Sequence, residues 1–276
     1  LMAESSGFTL PEINLNALTS SDNNTSQNDF LEKIRPEFIN GRISGKIAST
    51  GNWSEKNWSL SVNDTDISGV INDLPLIIQG DISLNQENHL SSGGLPQSKL
   101  LIAYDKDQLT LNTFNTENWH VNGQLDITEI NRWHQDISGA ITSDFTITGN
   151  KEDAVISVES QISQLSWQKF YSPQLDISVK YQPFNNHKTQ LTLKNNNLKF
   201  SGESEIADIE DIALHFSGDL NQQQLQASWQ GDFAGELKLT GQWQQAEYQW
   251  QSAIEHAAFT YKKMTFRNNK AFSLSI

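Results

Sequence analysis

Gly41–Trp53 reads GRISGKIASTGNW, and the same thirteen-residue phrase returns as GAITSDFTITGNK at Gly139–Lys151 and as GDFAGELKLTGQW at Gly231–Trp243. Each copy opens on glycine, places apolar or small residues at every second position and closes on Thr-Gly. The copies start at residues 41, 139 and 231, so the chain is built on a unit of nearly constant length. Repetition of this kind predicts an extended, quasi-one-dimensional architecture. The period inside the phrase is two, which is that of a β-strand with one apolar and one wetted face.

The alternation continues outward from the phrase. Leu76, Ile78, Gly80, Ile82 and Leu84 share one phase, with Ile77, Gln79, Asp81 and Ser83 in the other. Trp119, Val121, Gly123, Leu125 and Ile127 repeat the pattern against Asn122, Gln124 and Asp126. Shorter runs include Trp58-Leu60-Val62, Leu100-Ile102-Tyr104, Leu175-Ile177-Val179-Tyr181, Ile212-Leu214-Phe216, Leu225-Ala227-Trp229 and Tyr248-Trp250. Strands that follow one another at such short intervals predict antiparallel neighbours and not crossover helices. Gly45, Gly80, Gly123, Gly218 and Gly235 all fall in the apolar phase, which predicts a sheet bent about that face.

Helix signals are few. Asn28–Arg35, capped by Asn28 and stopped by Pro36, reads as two turns, and Thr128–Gln135 as a shorter turn or helix. Both precede a copy of the phrase and read as connectors. The repeat divides the chain into a partial module at 1–40 with a polar loop and connector, modules at 41–138 and 139–230, and a truncated module at 231–276.

Net charge is −14, from 33 acidic and 19 basic residues, which argues against a partner that presents nucleic-acid phosphates. Hydrophobic content is only 36%, yet thirteen Phe, eight Trp and five Tyr sit in phase with the aliphatics, which excludes a disordered chain. Cysteine is absent, in keeping with a bacterial cell-envelope compartment, and thiol catalysis has no nucleophile here. No segment approaches the roughly 20 apolar residues that span a bilayer. The chain opens on Leu1 and stops inside the run Phe272, Leu274, Ile276, so it reads as a piece of a longer protein.

Signals for chemistry are weak. His89, His120, His134, His187, His215 and His256 are dispersed, with no ligand spacing, and no metal or cofactor is expected. Asp64/Asp66, Asp105/Asp107 and Glu203/Glu205 place two carboxylates on one strand face, but at strand ends, where solvated turn residues are expected. No nucleophile elbow or phosphate-cradling glycine loop is present. Trp133 and Trp167 lie outside the repeated pattern and are the candidates for a sugar-stacking platform.

Periodicity leaves three fates open for the apolar phase: a two-sheet sandwich, a closed barrel or solenoid, or one sheet curled into a trough. A family resemblance bears on the choice. The pattern GxhxGxhxhTG (h, apolar), with Trp58-Ser-Leu-Ser-Val62, Asp66-Ile-Ser-Gly69, Trp119…Gly123-Gln-Leu125…Ile137-Ser-Gly139 and Ile212-Ala-Leu-His215…Gly218, resembles the TamB family of the AsmA-like, repeating β-groove group over about residues 50–276. The resemblance implies an all-β fold: a long antiparallel sheet curled into an open half-tube, or β-taco, with an apolar interior. It places the piece centrally or late in a protein of the Gram-negative periplasm that is tethered to the inner membrane. It further implies a non-enzymatic bridge whose groove carries phospholipid acyl chains towards the outer membrane, with a TamA-like outer-membrane barrel as partner. Under this reading the groove is lined by Ile43, Ile47, Leu60, Val62, Leu76, Ile78, Val121, Leu125, Ile141, Phe145, Ile147, Ile177, Val179, Leu214, Phe216, Leu237, Leu239 and Trp250. The alternative is a scaffold for β-barrel assembly, in which exposed edge strands template incoming strands and the apolar phase is a packed core.

Overall fold

The computed structural model describes residues 2–4, 8–14, 40–53, 58–85, 97–114, 118–150, 152–200, 209–244 and 249–275. The chain divides into two compact units, Leu1–Thr128 and Glu129–Ile276.

The first unit holds β1 (Met2–Glu4), β2 (Phe8–Asn14), β3 (Gly41–Trp53), β4 (Trp58–Ile71), β5 (Leu74–Asn85), β6 (Ser98–Tyr104), β7 (Asp107–Thr113) and β8 (Trp119–Ile127). β1 and β2 both pair with β3, and from there each strand pairs antiparallel with the next. The tight turns explain the register. Ile71 pairs with Leu74 across Asn72 and Asp73, which have φ of 49° and 64°. Two consecutive left-handed residues form the turn whose twist matches that of the flanking strands, and Asn and Asp tolerate it best after glycine. Tyr104 pairs with Asp107 over a second two-residue turn that opens on Asp105 at φ 53°.

Asp64, at φ 50°, adds one residue to β4 against both neighbours. The bulge shifts the alternation by one residue. Leu60 and Val62 therefore share a face with Thr65, Ile67 and Gly69, which uninterrupted alternation would place opposite them. Asp81 Oδ1 accepts the Asp64 N–H at 2.8 Å and holds the bulge.

The second unit opens on a 3₁₀ turn, Ile130–Arg132, with Ile130 buried. This single turn stands within Thr128–Gln135, where a short turn or helix is expected; the expected helix at Asn28–Arg35 lies outside the described residues. β9 (Ile137–Gly149), β10 (Val155–Trp167), β11 (Phe170–Gln182), β12 (Lys188–Asn196), β13 (Lys199–Phe200), β14 (Ile209–Gly218), β15 (Gln223–Gly231), β16 (Phe233–Gln244), β17 (Gln249–Tyr261), β18 (Met264–Arg267) and β19 (Phe272–Ser275) follow. The ladder runs antiparallel through β9, β10, β11, β12, β14, β15, β16 and β17. Short β13 extends the β11 pairing, and β18 and β19 both pair with β17. Asn268 fills the break between these last two: its Oδ1 accepts the Ala257 N–H at 2.7 Å. In the β14–β15 turn, N–H groups of Asn221 and Gln222 donate to Asp219 and hold its carboxyl below the usual carboxylate range. Any stability gained from this depressed pKa is present above that range and is lost as pH falls through the lowered value.

Among the described residues no ladder closes either unit into a barrel. The only buried apolar residues among them are Ile130, Ala154 and Ala258. A two-layer fold of this size buries many Leu, Ile, Val and Phe side chains, so neither unit is a sandwich. Each is one open antiparallel sheet, and what burial there is comes from neighbours within the sheet.

Two tryptophans show how such a sheet packs against itself. The Trp229 ring lies over Gly235 on the neighbouring strand, where an added Cβ would sit 2.4 Å from its Cζ2. The Trp250 ring lies over Gly241 in the same way, at 2.5 Å, and its Nε1 donates to Gln223 Oε1 at 2.7 Å. These in-phase glycines make room for a ring laid flat on the sheet. Gly235→Ala is therefore expected to lift the Trp229 ring and cost about 1–3 kcal/mol as an overpacked site. The check is a lower urea midpoint together with a red-shifted tryptophan emission.

Candidate functional site

The registers place the apolar phase in rows that run from strand to strand. In the first unit, Gly45, Ile67, Ile78, Ile102, Leu109 and Leu125 lie side by side on successive strands. In the second, one row crosses eight strands without a polar residue: Phe145, Val158, Val179, Leu191, Phe216, Leu225, Leu239 and Ile254. Seven interstrand steps of about 4.8 Å make that row roughly 34 Å long. A second row lies beside it: Ser143, Ser160, Ile177, Leu193, Leu214, Ala227, Leu237 and Ala257.

All eighteen residues named from the sequence fall on these faces. Ile43, Ile47, Leu60, Val62, Leu76, Ile78, Val121 and Leu125 share one face of the first unit. Ile141, Phe145, Ile147, Ile177, Val179, Leu214, Phe216, Leu237, Leu239 and Trp250 share one face of the second. Leu60 is exposed, and the other seventeen are half-buried.

Some polar atoms set into the second face meet one another across strands. Ser143 Oγ and Ser160 Oγ share a hydrogen bond of 2.7 Å, and Asn195 Nδ2 donates to Ser172 Oγ. These pairs were not legible from the sequence, since each partner lies on a different strand. They pair hydroxyl and amide N–H groups across strands, while the buried Asn195 Oδ1 and Trp229 Nε1 find no hydrogen-bond partner.

The opposite faces carry ordinary surface chemistry. Gln79 donates to Asp66, Gln161 and Gln174 to Asp176, and Ser178 to Glu159. Two broad, open depressions of about 690 and 500 Å³ lie in the second unit, lined chiefly by polar residues such as Gln242 and Gln251, or Thr142 and Asp176. The carboxylate pairs do not converge. Asp64 sits in the bulge and Asp105 in a tight turn. Asp107 corrects the expectation of a solvated residue: it is 4% exposed, and its Oδ1 accepts both the Thr128 N–H (2.7 Å) and the Thr128 hydroxyl (2.9 Å). It anchors the chain that leaves β8. Glu203 and Glu205 lie outside the described residues.

The described histidines stay apart. His187 meets the Tyr181 hydroxyl, His215 meets Thr192, His256 meets Glu236, and His120 packs edge-on to Phe114. Among the described residues no three His, Cys, Asp or Glu side chains converge on a metal position. Trp133 and Trp167 are exposed, and Trp167 stacks on Phe170 with centroids 5.9 Å apart.

Open antiparallel sheets, each with a continuous apolar face and each holding a copy of a recurring strand phrase, define a protein of the β-groove class. The chain belongs to the TamB family: the family model described as the TamB N-terminal domain matches residues 26–276. That match reaches further towards the start than the motifs do, and it is to the N-terminal domain where a central or late piece was expected. The translocation and assembly module subunit TamB of Haemophilus influenzae is 24% identical over 253 residues, covering 89% of this chain and 19% of that protein. The chain thus spans about a fifth of the length of this relative. No solved structure matches it.

Because nothing among the described residues packs over the apolar rows, charge placed there is expected to be tolerated by the fold. Val179→Asp with Leu225→Asp is expected to keep the strand signal in far-ultraviolet circular dichroism while binding of an apolar fluorescent dye falls. Global unfolding of the pair would show that these rows pack as a core.

Proposed function

We propose that this chain is a non-enzymatic segment of a periplasmic bridge whose apolar faces hold phospholipid acyl chains in transit between the inner and outer membranes. The observation that carries the reading is the eight-strand apolar row, half-buried and without a covering layer. Apolar surface moved out of water gains about 25 cal/mol per Å². Acyl chains laid along the rows gain this from both sides of the contact, while a charged head group stays in water because burying it unpaired is costly. Membership of the TamB family supports a place in a translocation and assembly module. Under this reading the full-length protein is anchored in the inner membrane and meets a TamA-like barrel in the outer membrane.

The rival reading is a scaffold that guides outer-membrane barrel strands by edge augmentation. Among the described residues the open ladders end in strands with no covering helix, which favours it to that extent. The two readings differ in what a charge on the apolar face does. Ile78→Arg or Val121→Asp in the full-length protein is expected to abolish phospholipid movement between the membranes, with the protein still folded and present at normal abundance. Unchanged phospholipid movement, with barrel assembly lost instead, contradicts the conduit and favours the scaffold.

A further inference from the structure

The two ends of the strands in the second unit differ. At one end, β9–β10, β11–β12 and β14–β15 are joined by loops of several residues, at 150–154, 183–187 and 219–222. At the other end, β10–β11 turns through Gln168 and Lys169, β15–β16 through Asp232, and β17–β18 through Lys262 and Lys263. This tight-turn rim is aromatic. Centroids of Trp229 and Phe233 lie 5.7 Å apart, those of Phe233 and Phe259 6.0 Å, and those of Phe259 and Phe266 5.1 Å. Phe259, Met264 and Phe266 are exposed, so the cluster is not a sealed core.

The cluster continues the apolar face. Ile212 pairs with Trp229, Trp229 with Gly235, Gly235 with Phe259 and Phe259 with Phe266, which forms a single row. Tyr261 and Met264 come next towards the turn, and then the two turn lysines. Lys262 Nζ lies 5.2 Å from the Tyr261 ring centroid. The charge here reverses that of the chain: residues 257–276 hold Lys262, Lys263, Arg267 and Lys270 and no acidic residue, in a protein of net charge −14. Asp232 interrupts the rim at the β15–β16 turn, which leaves the β17–β18 hairpin as its cationic end.

From the rows outward, the order is aliphatic, aromatic, cationic. A phospholipid presents the same order from acyl chain through glycerol ester to phosphate. The scales agree as well. Three strand residues from Phe259 to Lys262 span about 10 Å, and the head-group region of one leaflet is roughly 5–8 Å thick. Aromatic rings with a polar neighbour favour such an interface, and Lys and Arg side chains reach from it towards phosphate.

We propose that the β17–β18 hairpin is a head-group contact, in which Lys262 and Lys263 take the phosphate of a phospholipid whose acyl chains lie on the apolar face of the same unit. The Trp229, Phe233, Phe259 and Phe266 rings receive its glycerol ester region. This rests on the acyl-chain reading above and adds to it selection for a phosphate-bearing lipid over a neutral one.

The test offers the purified chain in nonionic detergent an equimolar mixture of dioleoylphosphatidylglycerol and dioleoylglycerol, with bound lipid read by native mass spectrometry. The expected result is a preference of about tenfold for the phospholipid, the scale of charge-assisted contacts to one anion. Lys262→Gln and Lys263→Gln combined are expected to bring the ratio to about one, with total lipid bound and thermal unfolding unchanged. Equal binding of both lipids by the parent chain, or a preference that survives the double substitution, overturns the head-group contact and leaves the acyl-chain reading standing. Binding of neither lipid overturns the acyl-chain reading, and the head-group contact falls with it.

Discussion

The structure depends on a ladder of main-chain hydrogen bonds that completes itself without a second layer. In a sandwich, side-chain burial between sheets supplies most of the stability, and the hydrogen bonds add specificity. Here each strand inside a ladder satisfies its N–H and C=O groups on its neighbours, and apolar side chains are shielded by those beside them in the same row. Val179 between Val158 and Leu191 shows the arrangement: it is covered laterally and open above. A sheet of this kind grows by adding strands without a core that must close, which suits a chain built from a recurring unit.

The same constraint explains the special features at the margins. With no layer above, a ring such as that of Trp250 gains burial by lying flat, and glycine at 241 gives it the space. Polar side chains that enter the apolar phase meet one another across strands, as Ser143 and Ser160 do. Bulges at Asp64 and at Glu255, where β17 carries an extra residue against Lys238 and Leu239, re-phase a strand so that its apolar residues stay on one face. Each feature keeps one face apolar at some local cost in regular pairing.

Much of this was legible in the sequence because the side-chain period of a strand is short and strict. Leu76, Ile78, Gly80 and Ile82 declare their shared face without any knowledge of partners, and the copies of the phrase mark long strands. What was hidden depends on contacts between distant segments. Nothing local announces that Asp64 takes a left-handed conformation and joins Val62 to the face of Ile67. Asp107 reads as a turn residue until Thr128, twenty-one positions later, returns to donate to it. The role of Gly235 as a seat for Trp229 likewise requires the β15–β16 pairing. The uncovered state of the face was outside the reach of periodicity, since a packed core and an open groove alternate in the same way.

Whether the apolar faces hold acyl chains is decided by what touches them in the cell. A photoreactive phenylalanine analogue placed in turn at Ile177, Ser178, Val179 and Lys180 of the full-length protein reads this directly, since neighbouring positions on β11 face opposite sides. The predicted result is phospholipid adducts at 177 and 179 and none at 178 and 180. Protein adducts at 177 and 179, or lipid adducts without regard to phase, would contradict an acyl-chain groove.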